Sequence, residues 1–122
     1  MKIIKIPEEH YGAPLSWVVN CDEKEFFELV KKYGFDRDYA DSLGADGHFL
    51  TGEGYSIIWI RQELPPEKYI LTLSHELIHY VIETLERKGI PVNYDNQEDI
   101  AYFHEKMLKR CMAVNLKKYL KK

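Results

Sequence analysis

The chain is 122 residues long, 45% hydrophobic, 30% charged and 13% aromatic, with a formal net charge of −3. That size predicts one domain spanning residues 1–122 around a single core, and the balance of apolar and charged residues excludes a disordered polymer. The mild acidity excludes a global pull toward nucleic acid or an anionic membrane surface. Cys21 and Cys111 are too far apart for a CxxC metal site and too few for a disulfide framework, so both read as small buried hydrophobes in a reducing compartment. No run approaches the ~18 apolar residues of a membrane span. The opening Met-Lys-Ile-Ile-Lys-Ile-Pro lacks a signal peptide's apolar stretch, so the expected location is cytoplasmic.

In chain order, Lys2 to Ile6 and Leu15 to Cys21 are short β-prone runs. Asp22 with Glu25 forms a capping box, and Phe26, Phe27, Val30 and Tyr33 share one face of a helix that Gly34 ends. Phe35 to Gly47 is rich in Asp and Gly, with one expected helical turn from Tyr39 to Leu43. Its acids Asp36, Asp38, Asp41 and Asp46 do not meet the ligand spacing of a calcium loop and read as a solvated turn. His48 to Thr51 and Tyr55 to Arg61 flank Gly52-Glu53-Gly54 as a β-hairpin. Pro65 and Pro66 open a helix from Glu67 to Lys88, which Gly89 caps and Pro91 stops, and a last helix runs from near Asp95 to about Tyr119. The closing Lys117, Lys118, Lys121 and Lys122 are cations favoured at a helix C-terminus. The expected class is α+β: a small, mostly antiparallel sheet packed by three helices.

The chemistry concentrates in His75-Glu76-Leu77-Ile78-His79, an HExxH motif. Positions i and i+4 of a helix lie about one turn apart on one face, so both imidazoles can reach one ion, while Glu76 stands aside as general base for a metal-activated water. The bare motif arises by accident in roughly one or two chains per hundred of this composition, so its surroundings must carry the reading. At about 100° per residue, Thr72, His75, Glu76, His79, Glu83 and Glu86 fall in one sector, and Leu71, Leu73, Leu77, Ile78, Val81, Ile82 and Leu85 fill most of the remainder. Two histidines and a glutamate on the polar stripe of an otherwise buried helix point to a cleft; the competing reading is a pair of ordinary surface histidines.

A catalytic zinc takes about three protein ligands, so another residue must join His75 and His79. Glu83 lies in a row with them along the helix axis, and a row cannot supply three vertices of a tetrahedron. Glu98, at the start of the last helix, can be carried back toward the metal by the Gly89-Ile90-Pro91 break, and Ala101 one turn later permits close helix packing. Against this, Asp95 to Glu98 is itself a capping-box pattern. Glu105, two turns further, is the reserve candidate, and His104 reads as a packing histidine. With Glu98 at the metal the small Ala101 sits at closest approach, whereas Glu105 would bring in the bulkier Leu108, so Glu98 is expected to close the site.

These residues resemble the gluzincin branch of the zincins, in particular small metallopeptidases encoded by phages and prophages. The likeness covers roughly residues 47 to 108: a hairpin ending in Tyr55-Ser56-Ile57-Ile58-Trp59-Ile60, then Thr72 to His79, then Glu86 to Ile90, then Glu98 with Ala101 and Tyr102. The resemblance implies zinc on His75 and His79, catalysis by Glu76, a ligand at Glu98, and an edge strand at Tyr55 to Arg61 against which a peptide substrate pairs. The chain departs from the family pattern in placing Gln97, not asparagine, before Glu98. No oxyanion-stabilising residue follows from a motif; Tyr80, Tyr94, Tyr102, His10 and His104 are the available donors. The expected function is zinc-dependent hydrolysis of a peptide or protein substrate, with no nucleic-acid or membrane partner. The alternative is a metal-bound zincin-fold interaction or regulatory module without hydrolytic activity.

Overall fold

Leu15-Ser-Trp-Val-Val19 and Tyr55-Ser-Ile-Ile-Trp-Ile60 are nearly unbroken apolar runs, the pattern of strands covered on both faces, and both lie inside the sheet. The computed structural model describes residues 1–32, 44–52 and 54–118. Its elements are β1 (Lys2–Ile6), β2 (Leu15–Val19), α1 (Glu23–Lys31), β3 (Gly47–Gly52), β4 (Tyr55–Ile60), α2 (Pro66–Arg87) and α3 (Gln97–Met112), with 3-10 turns at Tyr94–Asn96 and Leu116–Lys118. The expected end of α1 at Tyr33 and Gly34, the helical turn from Tyr39 to Leu43 and Asp36, Asp38 and Asp41 fall outside the described residues.

The strands are ordered β1-β2-β4-β3. β1 pairs with β2 and β3 with β4 in antiparallel sense, Lys2 facing Val19 and Gly47 facing Ile60. The central pair is parallel, with Trp17 opposite Ile58. The sheet is therefore mixed, because the chain passes from β2 by way of α1 to β3 and the β3–β4 hairpin then turns it back into the direction of β2. One expected feature is corrected here: Tyr55 to Arg61 is not an edge strand, since β2 takes the side of β4 that β3 leaves open. The edge on that side of the sheet is β3.

Alternation along the inner strands assigns the two faces. Leu15, Trp17, Val19, Ile58 and Ile60 point to one core shared with α2 and α3, and Val18, Ile57 and Trp59 to a second under α1. On the first face Leu73, Leu77, Val81 and Leu85 of α2 are at most 1% exposed, each contributing about 1.5–3 kcal/mol by burial. Helix α1 begins as its sequence dictates, Asp22 accepting from the Glu25 N–H at 2.8 Å while its own N–H donates to Glu25 at 3.2 Å.

The ends of the other helices are set by backbone geometry. At the end of α2, Gly89 adopts φ +73° and donates to Glu86 O while Ile90 donates to Leu85 O, a Schellman closure with Ile90 packed on the core containing Leu85. The capping box expected at Asp95 to Glu98 does not form. Asn96 is the N-cap without a side-chain bond, and Asn93 instead accepts from the Asp95 N–H at 3.0 Å ahead of the helix. Helix α3 also stops at Met112 rather than near Tyr119: its buried stripe Phe103, Met107, Cys111 would continue to Asn115, which has no apolar surface to bury.

Candidate metal centre

Helix α2 carries His75, Glu76 and His79 on the side that neither the sheet nor α3 covers completely. His75 and His79 are exposed, with ring centroids 5.1 Å apart and planes inclined at 75°. Glu76 lies about 100° round the helix from His75, on the flank facing β3, and is only 7% exposed. One donor atom from each of the three lies within 4.8 Å of the others. Two nitrogens on one tetrahedral zinc stand about 3.3 Å apart, so small side-chain rotations suffice for both imidazoles to share an ion.

The space that holds Glu76 depends on Gly47, the first residue of β3. A Cβ there would lie 3.0 Å from Thr72 Cγ2, 3.1 Å from Glu76 Cγ and 3.1 Å from Ile60 Cδ1. Glycine in a strand marks such close approaches, a signal available in the sequence but not read from it. One oxygen of Glu76, Oε2, is buried without a hydrogen-bond partner among the described residues. Burial pushes the carboxyl above its usual range, against the pull of His79, His75 and His48. An orphaned carboxylate oxygen beside two imidazoles fits a group whose partner is a proton or a polarised water, and the donor set fits a divalent ion of the zinc type.

The remaining expected residues are placed as follows. Glu83 lines the same cleft one turn beyond His79. Glu98 is exposed in the first turn of α3, makes no hydrogen bond or ion pair among the described residues, and lies outside the group formed by His75, Glu76 and His79. Glu105 is exposed as well. His104 is a packing histidine, its Nε2 at 3.2 Å from Ser74 Oγ and 3.1 Å from Ser74 O, which ties α3 to the residue preceding His75.

Of the oxyanion candidates, Tyr80 is buried and donates to Ala13 O at 2.6 Å, and His10 and Tyr102 line a different cavity beside Phe103. Tyr94 is 81% exposed. Both cysteines are free and buried, and burial pushes each thiol up to about 12, which leaves them chemically inert.

Sequence reasoning missed a half-buried ionic cluster, centred on the buried Glu23, on the opposite face of β3. Glu23, at the start of α1, accepts from Gly44 N–H at 2.7 Å and Arg61 Nη2 at 3.0 Å and bonds His48 Nε2 at 2.7 Å. The His48 ring packs against both Phe26 and Trp59, with centroids 5.7 and 5.5 Å away, and those two rings lie 5.8 Å from each other. This cluster fixes β3 from behind while Gly47 meets Glu76 in front. No local pattern could have disclosed it, because its members are 25 and 38 residues apart.

β3 is also the open edge of the cleft. Arg61 N–H donates to Asp46 O at 2.8 Å, which makes that facing pair a bonded one. By alternation, His48 and Leu50 direct their backbone groups to β4, whereas Gly47, Phe49 and Thr51 direct theirs outward. Among the described residues no helix is long and apolar enough to cross a membrane. Among the described residues, fold and site together define an α+β arrangement with a four-stranded mixed sheet, three helices and a candidate His75-Glu76-His79 metal-binding group. Comparison of the chain with protein-family models, with curated proteins and with solved structures found no match in any of the three.

Proposed function

We propose that the chain is a zinc-dependent metallohydrolase of the zincin type that cleaves peptide bonds. The observation that carries this reading is the buried, unpartnered carboxylate oxygen of Glu76 set beside two exposed imidazoles one turn apart. In this reading His75 and His79 hold the ion and Glu98 is the third ligand, its carboxylate exposed and uncommitted to a helix cap. Zinc, when bound, polarises the scissile carbonyl and makes water acidic enough to lose a proton near neutrality. Glu76 accepts that proton, its basicity raised by burial, and returns it to the leaving nitrogen. The outward N–H and C=O groups of Gly47, Phe49 and Thr51 pair an extended peptide along β3, holding its backbone against Glu76.

A second reading keeps the metal and drops the hydrolysis. It is favoured by the engagement of Tyr80 with Ala13 and of His104 with Ser74, which removes two of the expected oxyanion donors. Metal analysis and peptide turnover separate the alternatives. The purified chain should carry about one zinc per molecule and lose it on combined His75→Ala and His79→Ala substitution, an outcome whose absence defeats both readings. Glu76→Gln keeps shape and metal but removes the base: turnover that disappears supports the hydrolase, and any cellular activity that persists supports the module.

A further inference from the structure

The cleft beside the metal group does not end at it. Between α2 and β3 it continues from Glu76 and His79 past Glu83 to Arg87. There it meets a second cavity of about 220 Å³ at the end of the β3–β4 hairpin, lined in part by Gly12, Gly52, Thr51, Arg87 and Lys88. Arg87 and Thr51 line both spaces and so stand at the boundary between them.

Two cations at a helix C-terminus are commonly explained by the macrodipole. Here the helix end is already closed by backbone bonds from Gly89 and Ile90, at 3.0 and 2.9 Å, and needs neither side chain as a cap. Arg87 is exposed and forms no ion pair or side-chain hydrogen bond among the described residues, and the same holds for Lys88. A planar guanidinium and an ammonium lining a small cavity are a donor set for a carboxylate.

We propose that this cavity is an anion subsite of the cleft, in which Arg87, with Lys88, takes the carboxylate of an Asp or Glu side chain on an extended peptide lying along β3. The inference rests on reading His75, Glu76 and His79 as the centre of a peptide cleft. Two independent rulers give the spacing. His79 to Arg87 is eight helical residues, about 12 Å at 1.5 Å each. Gly47, which touches Glu76, to Thr51 is four strand residues, about 13 Å at 3.3 Å each. Both correspond to a residue three or four positions from the scissile bond. Glu83, which lines the cleft between His79 and Arg87, disfavours an acid at the positions in between.

The test uses the full chain carrying Glu76→Gln, loaded with zinc, and fluorescent decapeptides that bear a single Glu, Gln or Lys in an otherwise neutral sequence. Anisotropy titration should find the Glu peptide bound about five- to tenfold more tightly than the Gln peptide, the gain expected of a charge-assisted contact at a partly open site. Arg87→Lys should keep part of that preference, and Arg87→Glu should reverse it in favour of Lys. In the chain with Glu76 intact, cleavage should fall three or four residues from the Glu, with the Glu-to-Gln change raising KM and leaving kcat. Equal affinities, a Glu preference that survives Arg87→Glu, or no binding of any peptide overturns the subsite. A Glu preference without cleavage by the intact chain refutes the hydrolase reading and leaves the subsite standing, whereas cleavage without a Glu preference does the opposite.

Discussion

Replacing Gly47 by alanine puts a methyl group where β3 and α2 come closest. The new Cβ would lie 3.0–3.1 Å from Thr72 Cγ2, Glu76 Cγ and Ile60 Cδ1, whereas carbon atoms rest at about 3.5–4.0 Å. Each contact must therefore open by about half an ångström. Ile60 is 2% exposed and held in the core, and Thr72 has a stiff branched side chain, so the longer arm of Glu76 yields most readily. Overpacking of this kind costs about 1–3 kcal/mol, and the reduced freedom of the unfolded chain returns about 0.4–1 kcal/mol. The net loss is about 1–2 kcal/mol, equivalent to about 3–8 °C in Tm for a domain of this length.

The functional effect should be larger than the structural one. A base displaced by about half an ångström to one ångström loses about 10- to 100-fold in turnover. Zinc content should be unchanged, because neither histidine is among the atoms nearest the new methyl group. The measurements are a thermal melt, a metal analysis and turnover of the best available peptide. Full turnover in a folded Gly47→Ala chain whose Tm has fallen would refute the argument that Gly47 positions Glu76, since Thr72 or Ile60 would then have absorbed the strain.

Glu98→Ala should weaken zinc binding by about an order of magnitude or more, with Glu105→Ala much milder; competition titration against a chelator measures both, and the reverse order would reassign the third ligand. Glu23 tests the rear support of β3: burial alone would raise its carboxyl, but hydrogen bonds from Gly44, His48 and Arg61 outweigh burial and hold it below the ordinary range. A carboxyl lowered on folding gives stability that is complete above its unfolded value near 4.5 and is lost as pH falls through the folded value. Glu23→Gln should therefore cost about 2–3 kcal/mol at neutral pH, and proportionately less in acid. Urea melts that give the same cost at pH 7 and pH 3 would contradict the sign.

Local interactions made much of this protein legible in its sequence. The Asp22–Glu25 box, the prolines opening α2, the Gly89 closure and the His75–His79 spacing each depend on residues within about one turn of one another, so the order of the letters determines them. The β-prone runs likewise located β2 and β4 as strands. What a run cannot disclose is which neighbour covers it, because burial on both faces is satisfied equally by several strand orders.

Only the tertiary structure decided that β2 and β4 pair in parallel, which moves Tyr55–Ile60 to the interior and leaves Gly47–Gly52 as the edge of the cleft. It likewise decided that Glu76 is buried against Gly47 while its neighbours His75 and His79 stay open, and that Glu23, His48 and Arg61 meet behind the strand. Those contacts join segments brought together by the competition of all apolar surfaces for cover. That competition is settled by the whole chain at once, so no window of the sequence contains its outcome.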